Sequence, residues 1–268
     1  MTWWTGRAIG IDTETDGVDP TDARIITCAT VVMDGRDNDA NEIMVQPERD
    51  IPEGASKIHG ITTEQAREHG MPREMAIASI AATLATFAGP ECPVVGHNVG
   101  GYDLTVLDRE LRRTGVGHLE IEDNVFAQIG QVRLWIGAQL ATVFPVIDTL
   151  VLDKAVDKYR RGRRQLAPTA QHYGAPMAEG SAHGATADVI ASLRIAIAIA
   201  NRYAAGAIGA MSLAELHAAQ IRWAGEQADG LREYFRKSGT GDPAGVSGEW
   251  PLRSLADGEV IETVSTTV

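Results

Sequence analysis

The stretch that decides how this chain is read is IGIDTETDG, residues 9–17, where three carboxylates stand at alternate positions ahead of a glycine. Asp12, Glu14, Asp16 and Gly17 imitate the opening of a calcium-binding EF-hand loop. The apolar residues before Asp12 describe something else, a buried strand that delivers Asp12 and Glu14 to a metal-dependent site. The EF-hand reading demands a bidentate glutamate at the twelfth loop position and a ligand at the ninth. Those positions hold Ala23 and Pro20, and the preceding TGRAIGI is short and β-branched where a helix is needed. In an extended strand, side chains two apart share a face, so Asp12 and Glu14 can converge. Asp16 is then part of the turn.

The chain has 268 residues, enough for one domain with an appendage, and a globular composition. Cys28 and Cys92 lack metal-ligand spacing and read as small buried groups in a reducing cytosol. No secretory signal is visible at the start, and the most apolar stretch, residues 189–200, is short and interrupted by Arg194. The expectation is a cytoplasmic protein with no membrane partner. A net charge of −12 argues against non-specific coating of nucleic acid, though not against gripping one strand end through metal ions and a local basic patch.

Periodicity predicts strands at about 7–12, 24–33 and 41–46, a helix over 71–89, a short buried strand at CPVVGHN and a helix over 101–114. No element stands out from there to about residue 142. A strand at 143–148 and helices over 149–158, 164–173 and 184–204 follow, so the expected architecture is a mixed sheet with helices on its faces. Residues 212–238 predict a long amphipathic helix with a Ser212 cap and a Gly239 stop. The remaining tail reads as irregular, with Trp250 as a docking residue.

Two further segments carry chemistry. In VVGHNVGGYDLTVLDREL, residues 94–111, a buried strand runs through a glycine-containing turn into a helix that opens with Tyr102 and Asp103. An acid there also complements the helix dipole, and Asp108, beside Arg109 and Arg112, reads as a surface ion pair. In HGATADVIASL, His183 precedes a helix whose first turn carries Asp188.

Together these segments resemble the DnaQ-like 3'-5' exonucleases of the DEDD superfamily: DTET supplies Asp12 and Glu14, HNVGGYD supplies Asp103, and HGATAD supplies His183 and Asp188. SKIHGIT, VIDTL and RRQLAPTAQHYG add smaller similarities. Gly184 stands where the tyrosine subgroup would have Tyr, which favours the histidine (DEDDh) subgroup. One departure is an additional residue between His97-Asn98 and Tyr102-Asp103. The resemblance implies an α/β, ribonuclease H-like mixed five-stranded sheet flanked by helices, with residues 1–205 as the exonuclease domain. Residues 206–268 form a C-terminal helical appendage and partly irregular tail.

The resemblance also implies Asp12, Glu14, Asp103 and Asp188 as ligands for two divalent cations, Mg²⁺ or Mn²⁺, with Asp12 bridging and His183 taking a proton from the attacking water. Thr13, Thr15, His59, Ile61 and Asn98 are the expected contacts to the terminal nucleotide. The run KYRRGRR, residues 158–164, has five basic residues and no acid, and Arg163 and Arg164 are its candidates for phosphate contact. The expected partner is a nucleic-acid 3' end, single-stranded DNA ahead of RNA, with a replication or polymerase protein as a further candidate. An RNA-trimming nuclease on the same fold and a non-catalytic polymerase-associated module are the alternatives.

Overall fold

The computed structural model describes residues 2–35, 37–123, 130–175, 184–255 and 261, with backbone alone for residues 37 and 123. In chain order the elements are β1 (Ala8–Thr15), β2 (Ile25–Asp34), β3 (Asp37–Met44), α1 (Glu53–His59), α2 (Thr63–His69), α3 (Arg73–Phe87), β4 (Val94–Gly96) and α4 (Asp103–Arg113). There follow β5 (Gly117–Asp123), β6 (Gly130–Ile136), β7 (Gln139–Thr142), β8 (Val146–Asp148), α5 (Thr149–Val156), α6 (Leu166–His172), α7 (Ala185–Arg202), α8 (Ala207–Ala210) and α9 (Leu213–Ser238).

The main sheet has five strands in the order β3-β2-β1-β4-β8, and helices cover it as expected. β1, β2 and β3 form an antiparallel meander, while β4 lies parallel to both β1 and β8. The stretch after residue 114 holds a second antiparallel sheet, β5-β6-β7, which the sequence reading left unassigned. Its alternation is present in Val132, Leu134 and Ile136 but is short and interrupted by polar residues.

Strand alternation sorts the core into two layers. Ile9, Ile11, Val94 and Val146 pack with Ile77, Ile80 and Leu84 of α3 and Leu104, Leu107 and Leu111 of α4. Ala8, Ala29 and Val31 pack with Val189 and Leu193 of α7 on the opposite face. Gly10 faces that helix, and a Cβ there would lie 2.4 Å from Cγ1 of Val189. The missing side chain lets α7 approach the sheet at this point, so Asp188, one residue before Val189, arrives beside the end of β1.

α9 has the predicted Ser212 cap, built as a capping box with Glu215, and ends at Gly239 with φ 67°. It closes the open edge of β8 with side chains. His217 Nδ1 accepts from Val146 N at 3.1 Å, Gln220 Oε1 accepts from Asp148 N at 2.7 Å, and Gln220 Nε2 donates to Val146 O at 3.0 Å. These groups replace the ladder partners that an edge strand lacks. Burial holds the His217 imidazole down at about 4, so it stays neutral and can accept that bond.

Candidate active site

β1 extends past the point where β4 stops pairing with it, which is at Gly10 and Val95. Asp12 and Glu14 lie on this projecting end and point, by the period of two, toward α7. Thr13 points the other way. Its backbone N–H and its hydroxyl both donate to Asp103 Oδ1, at 3.0 and 2.7 Å, so Asp103, the first residue of α4, occupies the position that β4 has vacated. The sequence reading offered Thr13 to the substrate; in the fold its side chain supports Asp103.

On the other face, carboxylate oxygens of Asp12, Glu14 and Asp188 lie within 4.8 Å of one another. Asp103 is outside that trio but acts on it: after burial, its charge is the largest influence on Asp12, ahead of Asp188 and Glu14. Glu42 also belongs to this neighbourhood, and the sequence reading did not single it out. Asp12 opposes Ala29, and Ala29 opposes Glu42, so the two acids share a row and a face of the sheet with only a methyl group between. The hydroxyl of Thr186, in the first turn of α7, donates to Glu42 at 2.6 Å.

Burial, then the surrounding negative charge, pushes Asp12 well above the usual carboxylate range and Glu14 up to about 7. Burial raises Asp103 to about 7 against the opposing hydrogen bonds from Thr13. Glu14 and Asp103 therefore keep protons in the folded state that the unfolded chain releases above about pH 4. Their contribution favours the folded protein at low pH and is lost as pH rises through about 7. In EDTA, the melting temperature is expected to fall between about pH 5 and about pH 8, and Glu14→Gln with Asp103→Asn to flatten the fall. A wild-type profile that rises across that window would contradict the assignment.

The loop from His97 to Tyr102 is organised around a buried carboxylate. Asp148, the N-cap of α5, accepts from the backbone N–H of Asn98, Gly100, Leu150 and Val151 and from the indole of Trp250. His97 is fixed between Thr149 and the carbonyl of Arg164. Asn98 adopts φ 68° and is exposed beside Gly101. The Thr15 and Tyr102 hydroxyls both lie within hydrogen-bond distance of Gly17 O and of each other, so one donates to the other and that second hydroxyl donates to the carbonyl. These bonds tie the end of β1 to the start of α4.

Other expectations land elsewhere. His59 is buried at the end of α1, with Nδ1 accepting from Ile61 N at 3.1 Å, and Ile61 packs with Ile26, Ile51 and Ala66. Asp16 does more than shape the turn: it is buried and paired with Arg49. Asp108 is 1 % exposed, so the surface ion pair is corrected. It accepts from Arg109, Arg112 and Leu119 N in the layer where β5 and the C-terminal segment cover α4. The basic run is likewise split. Arg160 and Arg164 are drawn inward by Asp153, while Lys158, Arg161 and Arg163 are exposed. His183 lies outside the described residues.

Among the described residues, three carboxylates converge with no thiolate or imidazole, a hard-oxygen donor set that suits a divalent cation such as Mg²⁺ or Mn²⁺. Burial first, and then the crowding of negative charge that a cation would relieve, raises the proton affinities of Asp12 and Glu14.

Comparison with known proteins agrees with this geometry. The family model RNase_T, described as Exonuclease, matches residues 9–196. Among solved structures, the zinc-bound complex of E. coli exonuclease I with single-stranded DNA superposes with a TM-score of 0.56 at 21 % identity, covering 74 % of this chain and 41 % of that one. Exonuclease I from Methylocaldum szegediense gives a TM-score of 0.56 at 18 % identity, covering 85 % of this chain and 46 % of that one. At these identities the likeness is one of fold, and this chain spans less than half the length of either protein. No curated protein matches the sequence significantly. Among the described residues, no helix is long and apolar enough to cross a membrane.

Proposed function

Because the chain belongs to the exonuclease family, we propose that it removes nucleoside 5'-monophosphates from the 3' end of single-stranded DNA. Residues 1–205 act as the catalytic domain and 206–268 as its appendage. The observation that carries this reading is the meeting of Asp12, Glu14 and Asp188 within 4.8 Å, with Asp103 held against the same strand by Thr13. The single-stranded DNA in the E. coli exonuclease I complex supports the choice of polymer.

Asp12, Glu14, Asp188 and Asp103 would hold divalent cations, two in this reading. When bound, these supply Lewis-acid stabilisation of the charge that develops on the scissile phosphate. The chain's own groups do the rest. β1 and the first turn of α7 hold the carboxylates in place before substrate arrives, so little reorganisation accompanies the reaction. His183 accepts the proton that the attacking water loses, a task suited to a group titrating near neutral pH. Asn98 and the Thr15–Tyr102 pair border the place of the terminal nucleotide.

The test is release of label from 3'-labelled single strands, DNA and RNA in parallel, with Mg²⁺, Mn²⁺ or EDTA. Metal-dependent loss from the 3' end is expected, with His183→Ala lowering the rate by about 10²- to 10⁴-fold. Faster release from RNA would select the RNA-trimming alternative. No release from either strand by folded protein would select the non-catalytic binding module.

A further inference from the structure

The helix α9 lies outside the residues matched by the exonuclease family, yet it builds a groove that begins at the active-site loop. A depression of about 130 Å³ beside Asn98, Gly101 and Asp148 shares Lys154, Gln227 and Leu231 with a larger groove of about 680 Å³ between α5 and α9. Lys154, Lys158, Arg164, Trp223, Leu231 and Tyr234 line the larger part. Among the described residues that line it, Glu226 is the one acid, against Lys154, Lys158 and an Arg164 paired with Asp153, so in a chain of net charge −12 this surface reverses sign.

Two features make the groove more than a charged face. Lys154 is half-buried and makes no hydrogen bond or ion pair among the described residues. Large apolar surface is also left open: in the groove Tyr234 is 58 % exposed and Leu231 41 %, and outside its lining Tyr159, whose ring lies under the Lys158 ammonium, is 87 % exposed. Cations alternating with exposed aromatic rings suit a polymer that carries phosphates on one side and flat bases on the other. Gly230 also lines the groove. It sits inside α9, where glycine costs helix stability, and a Cβ there would meet nothing within 4 Å.

Resting on the exonuclease reading, we propose that the α5–α9 groove binds the single strand upstream of its 3' end. Phosphates lie on Lys154 and Lys158, and bases stack on Tyr234. The groove makes long strands better ligands than short ones without entering the chemical step.

Fluorescence anisotropy in EDTA with 5'-labelled oligothymidylates of about 3 and about 15 nucleotides tests this, paired with hydrolysis rates in Mn²⁺. Wild type is expected to bind the long strand more tightly. Lys154→Gln with Lys158→Gln should reduce the slope of log K against log salt by about 1.4, about 0.7 per lost phosphate contact. Tyr234→Ala should weaken long-strand binding about tenfold. Gly230→Glu, which improves helix propensity and so tests the groove without risking the fold, should weaken it too. Hydrolysis of the short strand should stay at the wild-type rate in all three. If wild type cleaves 3' ends but these variants bind the long strand as it does, the groove assignment fails and the exonuclease reading stands. If wild type cleaves no 3' end in any metal, both fail.

Discussion

Asp12→Asn is expected to abolish nucleotide release at every Mg²⁺ or Mn²⁺ concentration while raising the melting temperature in EDTA. The two effects have one cause. Asp12 is buried at the meeting point of Asp103, Asp188, Glu14 and Glu42, all of which disfavour its charge. Neutralising it removes a repulsion that the folded state alone contains, since the unfolded chain holds these acids apart. A gain on the order of 1 kcal/mol corresponds to about 2–4 °C for a chain of this size. The same neutral amide loses the charge needed to hold a cation, so the rate should drop by about 10³-fold or more. Label release across a metal titration and a thermal scan in EDTA measure both. Retained activity would remove Asp12 from the centre, and a lowered melting temperature would show that its charge is not in conflict with its surroundings.

Trp250→Ala is expected to cost about 3–5 kcal/mol of stability and to impair activity, although Trp250 belongs to neither the carboxylate trio nor Asp103. The indole is buried, packs 5.0 Å from the His217 ring and donates to Asp148 at 3.2 Å. Asp148 in turn holds the N–H groups of Asn98 and Gly100. A Cβ on Gly100 would lie 2.3 Å from the indole nitrogen, so that glycine leaves room for the ring. The following residues continue the clasp, with Arg253 N donating to Thr105 and Arg109 donating to the carbonyls of Arg253 and Ser254. Removing the ring uncovers the loop that leads into Asp103. Trp250→Phe keeps most of the packing and should lose only about 1 kcal/mol for the missing hydrogen bond. Urea melts of both variants, with kcat and KM on a short strand, provide the measurement. An alanine variant within about 0.5 kcal/mol of wild type would show that the C-terminal segment is not part of the loop's support.

The elements that could be read directly carry their signals within a few residues. The Ser212 box, the Gly239 stop, the apolar period of α7 and the alternation that places Asp12 and Glu14 on one face are local, and the structure has them where the pattern does. The order of the three acidic segments was also legible, because Asp12 and Glu14 lie at the end of a strand and Asp103 and Asp188 in the first turn of a helix. What could not be read depends on pairings between distant parts of the chain. Glu42 joins the acids through the β1-β2-β3 register, which no single strand contains. Asp108 is buried because β5 and the C-terminal segment cover it, and the basic run is divided because Asp153 claims two of its arginines. The groove exists because α9 folds back against α5. The sequence by itself thus determined which residue types sit at strand and helix ends, since periodicity and capping act over one or two turns. Only the tertiary structure decided which charges are buried, paired or left facing a groove, since that depends on which distant segment removes the water around each of them.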